Sequence, residues 1–174
     1  MGTYSALTAD RVKAGDRLPE LRVPVTATTV VQGAAASRDW QPQHHDAGWA
    51  RRVGTRDIFL NTPTQGGWIS RFITDWTGPT GRIARIAYRM RVSIYPGSLM
   101  AIGGVVSALH RDRSGCCWVE VAVEVKADDA LCTLVNVTVA LPASAGAESP
   151  WQRRAERWLV AELPPFPAAG GAAP

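Results

Sequence analysis

Between residues 62 and 141 the spacing of apolar side chains changes once, from a helical repeat to a two-residue repeat. No other feature of the chain limits its fold as much. Thr62 is a suitable helix cap and Pro63 suits the first helical position. Ile69, Phe72, Ile73 and Trp76 then fall at i, i+3, i+4 and i+7, a single apolar stripe that Gly78-Pro79 ends. From Ile83 onward Ala84, Ile86, Tyr88, Met90, Val92 and Ile94 share one face of an expected strand, and Arg85, Ala87, Arg89 and Arg91 the other. Pro96-Gly97 makes a turn, and residues 99–109 are apolar on both faces, as expected of a strand covered twice. After a polar loop at 111–115, Cys117, Val119, Val121, Val123 and Val125 alternate with Glu120, Glu124 and Lys126. Asp128-Asp129 then turns the chain into a last strand over residues 131–141.

The upstream part is shorter in its elements. Pro19 and Pro24 mark residues 21–25 as an edge strand. Thr26 or Thr28 can cap a helix running through Val30 and Val31 to Ala34, Ala35 and Ala36. A curved antiparallel sheet wrapped around one central helix is a single hot-dog fold of the α+β class, expected over residues 1–142. Residues 143–174 are expected to form a small-residue linker, a short amphipathic helix over 151–163 with Arg153, Arg154 and Arg157 on its exposed face, and a disordered Pro/Ala/Gly-rich end. A chain of 174 residues supports one such domain. A single copy leaves a sheet edge exposed, which predicts pairing with a second copy or a partner.

Composition narrows the function. The formal charge of +4 is spread along the chain, with no basic face of the kind nucleic acids require. No apolar run approaches the roughly 20 residues of a membrane span, so no membrane partner is expected. Met1-Gly2-Thr3-Tyr4-Ser5 shows no secretory leader. Cys116, Cys117 and Cys132 lack metal-ligand spacing and read as small core residues, which fits a reducing cytoplasm and no metal.

An acid and an imidazole, Asp39 and His44, sit five positions apart around Pro42. The proline biases Gln41 away from helix, so the segment is a shaped turn that can aim both side chains at one small cavity and a shared water. Asp39 alone would read as a cap or turn residue; paired with His44 across Pro42, it suits adding or removing water at a double bond. Arg85, Arg89 and Arg91 can grip phosphates, although a solvated strand face explains them as well. His45 and Asp46 read as solvent-facing or turn-forming.

The run Ser37-Arg38-Asp39-Trp40-Gln41-Pro42-Gln43-His44 resembles the hydratase motif of MaoC-like, R-specific enoyl-CoA hydratases: an Asp, an Asn-Pro-like turn, then His. Asn61-Thr62-Pro63-Thr64-Gln65-Gly66-Gly67-Trp68 looks like the family's oxyanion segment, and Tyr95-Pro96-Gly97-Ser98 with Gly104-Val105-Val106 resembles its Pro-Gly-Asp … Gly-Val run. The likeness spans residues 17–141. It departs at Gln41, where Asn is usual, and at Gln65, where His is usual. His44-His45-Asp46 with Asp57-Ile58-Phe59-Leu60-Asn61 and Thr74-Asp75-Trp76-Thr77-Gly78-Pro79 looks like an actinobacterial subgroup that includes small hydratase subunits acting on steroid side-chain CoA thioesters.

The resemblance implies hydration of a trans-2-enoyl-CoA without metal or redox cofactor. Asp39 would be the base and His44 would hold the water, with the Gly66 N–H donating to the thioester oxygen. Asn61, Gln65, Gly67, Trp68, Arg89 and Arg91 are then expected at the substrate. It also implies a homodimer or a heteromer with a second hot-dog subunit. Two alternatives stay open: a thioesterase on the same fold, whose acid would sit on the central helix where Asp75 lies, and a non-catalytic subunit of such a heteromer.

Overall fold

The central helix begins one residue earlier than the sequence suggests, and the reason bears on the site. In the computed structural model, which describes residues 6–166, Asn61 is extended and its side chain accepts the N–H of Thr64. Asn61 is therefore the cap, and Thr62 and Pro63 fill the first helical positions. Asn caps better than Thr, and the Thr62 hydroxyl is directed instead to the Met90 sulfur. This helix, α3 (Thr62–Thr77), follows β1 (Leu21–Pro24), α1 (Ala27–Ala36) and the short α2 (Ala47–Arg52). It precedes β2 (Arg82–Met90), β3 (Leu99–Arg111), β4 (Cys117–Ala127) and β5 (Ala130–Leu141). Gly78, with φ of 68°, ends α3 in a conformation that suits glycine. Thr26 caps α1 through a reciprocal pairing with Thr29.

The strands form one antiparallel sheet in the order β1-β3-β4-β5-β2. Its inner face packs Met100, Ile102, Val106, Val121, Val123 and Val137 against Ile69, Phe72 and Ile73 of α3. The helix fits because Gly104 leaves room for it: a Cβ there would stand 3.1 Å from the Phe72 ring and 3.3 Å from Val121 and Val123. This is the single hot-dog fold, a curved sheet around a helix. Asp128 and Asp129 turn β4 into β5 with positive φ at both residues, a hairpin conformation that Asp tolerates. Among the described residues no helix is long and apolar enough to cross a membrane. The three cysteines are buried and unpaired.

Four expectations are corrected. A bulge lies between Ile83 and Arg85. It shifts the alternation by one, so Ile83 and Ile86 meet the main core while Ala84 faces Trp118 on the opposite side. β2 then stops at Met90 rather than continuing to Ile94, because the N–H groups of Arg91 and Val92 both turn to the Cys132 carbonyl. Val92 is left exposed, although Ile94 is buried.

The double burial expected for residues 99–109 is not met within one chain. Met100, Ile102 and Val106 are buried, but Leu99 is 42% exposed and Ala101, Gly103 and Val105 are half-buried, because no second layer covers their face.

The helix expected over 151–163 is replaced by three separate 3-10 turns, Pro150–Gln152, Ala155–Arg157 and Val160–Glu162. Trp118 points out of the sheet's far side and must be covered there. Trp158, Val160 and Leu163 do so, with Arg82 stacked 3.8 Å from the Trp158 ring. Arg153 is accordingly not on an exposed helix face: its side chain is only 10% exposed, lies 3.5 Å from Glu148 and donates to the Ser114 carbonyl. The expectations for residues 1–5 and 167–174 lie outside the described residues.

A methyl group at Gly104 has to push Phe72 or two β4 valines aside. Gly104→Ala is therefore expected to lower stability by about 1–3 kcal/mol in equilibrium urea unfolding. Gly103→Ala, where a Cβ meets nothing within 4 Å, should change it by less than about 0.5 kcal/mol. Equal effects at the two positions would contradict this account of how the helix is seated.

Candidate active site

Asp39 leaves the end of α1 through a sharp reversal. The N–H groups of Arg38 and Asp39 still donate to Ala35 and Ala34, while Arg38 takes a φ of 54° that non-glycine residues rarely adopt. The Asp39 carboxylate accepts the Gln41 N–H at 3.3 Å, closing a small turn. Pro42 opens the 3-10 turn Pro42–His44, and Asp46 then caps α2 by accepting the Trp49 N–H, the turn-forming role expected of it. This chain path carries His44 inward, where it is 4% exposed.

The tautomer of His44 follows from its neighbours. Its Nδ1 lies 2.8 Å from the Phe59 carbonyl oxygen, which can only accept, so Nδ1 carries a hydrogen. The Phe59 ring meets the imidazole edge-on at 4.8 Å between centroids. That leaves Nε2 facing the Asp39 carboxylate at 3.5 Å, with the Gln43 amide nitrogen 3.2 Å away. The gap to Asp39 is too long for a direct hydrogen bond. It is suited to a small donor that both groups can hold.

Asp39 is held ionised. The Asn61 side-chain amide, donating to Asp39 Oδ2 at 2.9 Å, pulls its pKa below the ordinary aspartate range. Partial burial opposes this, and the Gln41 N–H and the His44 and His45 imidazoles reinforce it. The carboxylate stays 23% exposed, within reach of an entering molecule.

Asp39, His44, Asn61, Gln65 and Arg91 converge on one open cavity of about 400 Å³. Its walls are largely polar, with Met90 and Val92 closing the β2 side. Gln65 is buried at the floor and accepts the Thr133 hydroxyl at 2.9 Å, tying α3 to β5. Gly66, Gly67, Trp68 and Arg89 stand outside this lining. Gly66 is the fifth residue of α3, one turn past the cap, and the Tyr88 hydroxyl lies nearest to it. Trp68 packs on the core, with Arg71 above its ring. Arg85 is neither a free phosphate ligand nor on a solvated face: it lies 3.5 Å from Glu120 and donates to Thr138 at 2.8 Å. Sequence reasoning missed Phe59, whose contribution is a main-chain carbonyl with no side-chain signature, and the hydroxyls of Ser37 and Thr64.

No protein-family model matches the chain. A curated relative, the 3-oxo-4,17-pregnadiene-20-carboxyl-CoA hydratase beta subunit of Mycobacterium tuberculosis (strain ATCC 25618 / H37Rv), is 38% identical over 96 residues. The match covers 55% of this chain and 74% of that relative. Among solved structures, a chain of the ChsH1-ChsH2 complex from Mycobacterium tuberculosis superposes with a TM-score of 0.69 at 31% identity, covering 74% of this chain and 98% of that one. The MaoC-like dehydratase from Rhodospirillum rubrum superposes with a TM-score of 0.70 at 18% identity, covering 78% and 97%, and shows the fold alone.

A carboxylate whose pKa is depressed in the folded state adds stability above the ordinary aspartate range. That stability is lost as the pH falls through the folded-state value. The stability advantage of the native chain over Asp39→Asn should therefore shrink between neutral pH and about pH 3 in urea titrations. A difference that stays constant with pH would contradict the ionised, amide-held carboxylate.

Proposed function

The chain belongs to the MaoC-like hot-dog hydratase family, and we propose that it adds water across the double bond of a trans-2-enoyl-CoA, giving a 3-hydroxyacyl-CoA, or runs the reverse dehydration. One observation carries the reading: the ionised Asp39 and the Nε2 of His44 face each other at 3.5 Å across an open cavity.

A water seated beside that pair, on the cavity side, takes the place of the Gln43 amide at Nε2 and donates one hydrogen to each group. Asp39 removes one proton as the water oxygen bonds to the β-carbon, and the π electrons shift toward the thioester oxygen. The proton taken by Asp39 then passes through His44 Nε2 to the α-carbon, so that one water has been added and both groups return to their starting state. The atoms and electrons balance without a metal or redox cofactor. Charge on the thioester oxygen is met at the positive end of α3. There Gln65 stands at the cavity floor, while Gly66 and Gly67 follow on the helix outside the lining.

The likeness to a steroid-CoA hydratase subunit supports a bulky side-chain CoA ester as the substrate. The polar walls around Gln41, Gln43 and Ser93 suit a thioester and pantetheine better than a steroid body. That supports a second hot-dog subunit completing the acyl pocket, as does the heteromeric complex to which the chain is similar. Arg91 at the cavity and Arg89 near the end of β2 are the candidates for CoA phosphates. Hydrolysis of the thioester is the weaker reading, because Asp75 is exposed, pairs with Arg71 at 3.2 Å and stands outside the cavity.

The test follows enoyl absorbance and free thiol together, using crotonyl-CoA and a steroid side-chain enoyl-CoA, with and without the co-expressed second subunit. Enoyl loss without thiol is expected, and Asp39→Asn or His44→Ala should each reduce it by about 10²–10⁴-fold with the fold intact. Gly66→Ala should fold normally, since the nearest atom to its Cβ is 3.9 Å away. Thiol release at the rate of enoyl loss, or full activity of either Asp39 or His44 variant, would overturn the proposal.

A further inference from the structure

Asn61 has four hydrogen-bonding valences, and the protein uses all of them. Its Nδ2 donates to Asp39 Oδ2 at 2.9 Å and to Ser37 Oγ at 2.8 Å. Its Oδ1 accepts the Thr64 N–H at 3.1 Å and the Thr64 hydroxyl. A side-chain amide has two donors and two acceptor sites, so none is left for a ligand. The side chain is also 2% exposed. From this we infer that Asn61 is a positioning residue that acts through Asp39, oriented by Thr64 and Ser37, and does not bind substrate.

The orientation of the amide has one solution. Reversed, its hydrogens would face the Thr64 N–H, and its carbonyl would face the Asp39 carboxylate, leaving both contacts repulsive. Thr64 forbids this by presenting two donors to the same oxygen. Ser37 completes the clamp by donating onward to the Gly33 carbonyl at 2.8 Å while accepting from Asn61. Gly33 is itself part of the device: a Cβ there would stand 2.2 Å from Thr64 Oγ1, so any side chain would dislodge Thr64. The last turn of α1 and the first turn of α3 are thus joined through one amide, and the carboxylate between them has one available pose. The depressed pKa of Asp39, to which the Asn61 amide is the largest contributor, agrees with that clamp.

The inference rests on the hydratase reading only for its kinetic consequence, so the experiment carries one readout that does not need turnover. Full-length native protein, Asn61→Ser and Thr64→Val are labelled with ¹³C-aspartate, the Asp39 signal is assigned with Asp39→Asn, and its titration is followed. In parallel, enoyl-CoA hydration is measured as kcat and KM against pH. Ser caps a helix about as well as Asn, so Asn61→Ser should keep its thermal midpoint near native. Asp39 is expected to titrate at higher pH in Asn61→Ser. The acid limb of kcat should move the same way, and kcat should fall by about 10²-fold with KM nearly unchanged. Thr64→Val keeps Asn61 but frees its amide, and should move Asp39 in the same direction by less. An unmoved Asp39 titration in both variants, or a loss confined to KM, would overturn the inference. If the native protein hydrates no enoyl-CoA, the hydratase reading fails while the titration still decides the role of Asn61.

Discussion

A helix begins with backbone N–H groups that its own ladder does not satisfy. In α3 that deficit is met by Asn61, whose carbonyl takes the Thr64 N–H. The other side of the same amide is therefore turned toward the end of α1, where it meets Asp39 and Ser37. The fold's requirement for a cap and the site's requirement for a fixed, ionised carboxylate are answered by one buried side chain. The sheet supports this from behind: Gly104 admits Phe72, which sets how deeply α3 sits, and the Gln65–Thr133 bond fixes its first turns to β5.

His44 is held independently of that amide. Pro42 starts the turn that carries the imidazole inward, and the Phe59 carbonyl takes the Nδ1 hydrogen. The nitrogen turned toward Asp39 is thereby fixed as Nε2. Two groups anchored to different parts of the scaffold, one on the α1–α3 junction and one on the segment before α3, present acceptors to the same space. For the proposed reaction only the Gln43 amide would have to leave Nε2, and fixed acceptors of this kind are the physical advantage of a preorganised site.

Much of this was legible in the chain. The stripe of Ile69, Phe72 and Ile73, the alternating valines of β4 and the proline between Asp39 and His44 all state their roles through spacing. Where reading failed, the determining interaction was nonlocal or lay in the main chain. Nothing in Ile83-Ala84-Arg85 signals a bulge, because its cause is the register against β5. Trp151, Trp158 and Leu163 are apolar enough to suggest a helix, but Trp118, which Trp158 and Leu163 cover, lies more than thirty residues upstream. Thr62 and Asn61 are adjacent and both can cap; the choice depends on Asp39 and Ser37, which sequence does not place beside them. Arg85 reads as a phosphate ligand or as part of a solvated strand face until Glu120 is found across the sheet.

The central claim is that Asp39 and His44 act on one oxygen atom at the β-carbon. Its most direct test is a crystal structure of the chain, with its second subunit if one is required, bound to a 3-hydroxyacyl-CoA. The account predicts the β-hydroxyl oxygen within hydrogen-bonding distance of both Asp39 Oδ2 and His44 Nε2, with the thioester carbonyl turned to the amino end of α3. A product bound with its hydroxyl away from both side chains, or a thioester seated in another cavity, would contradict it.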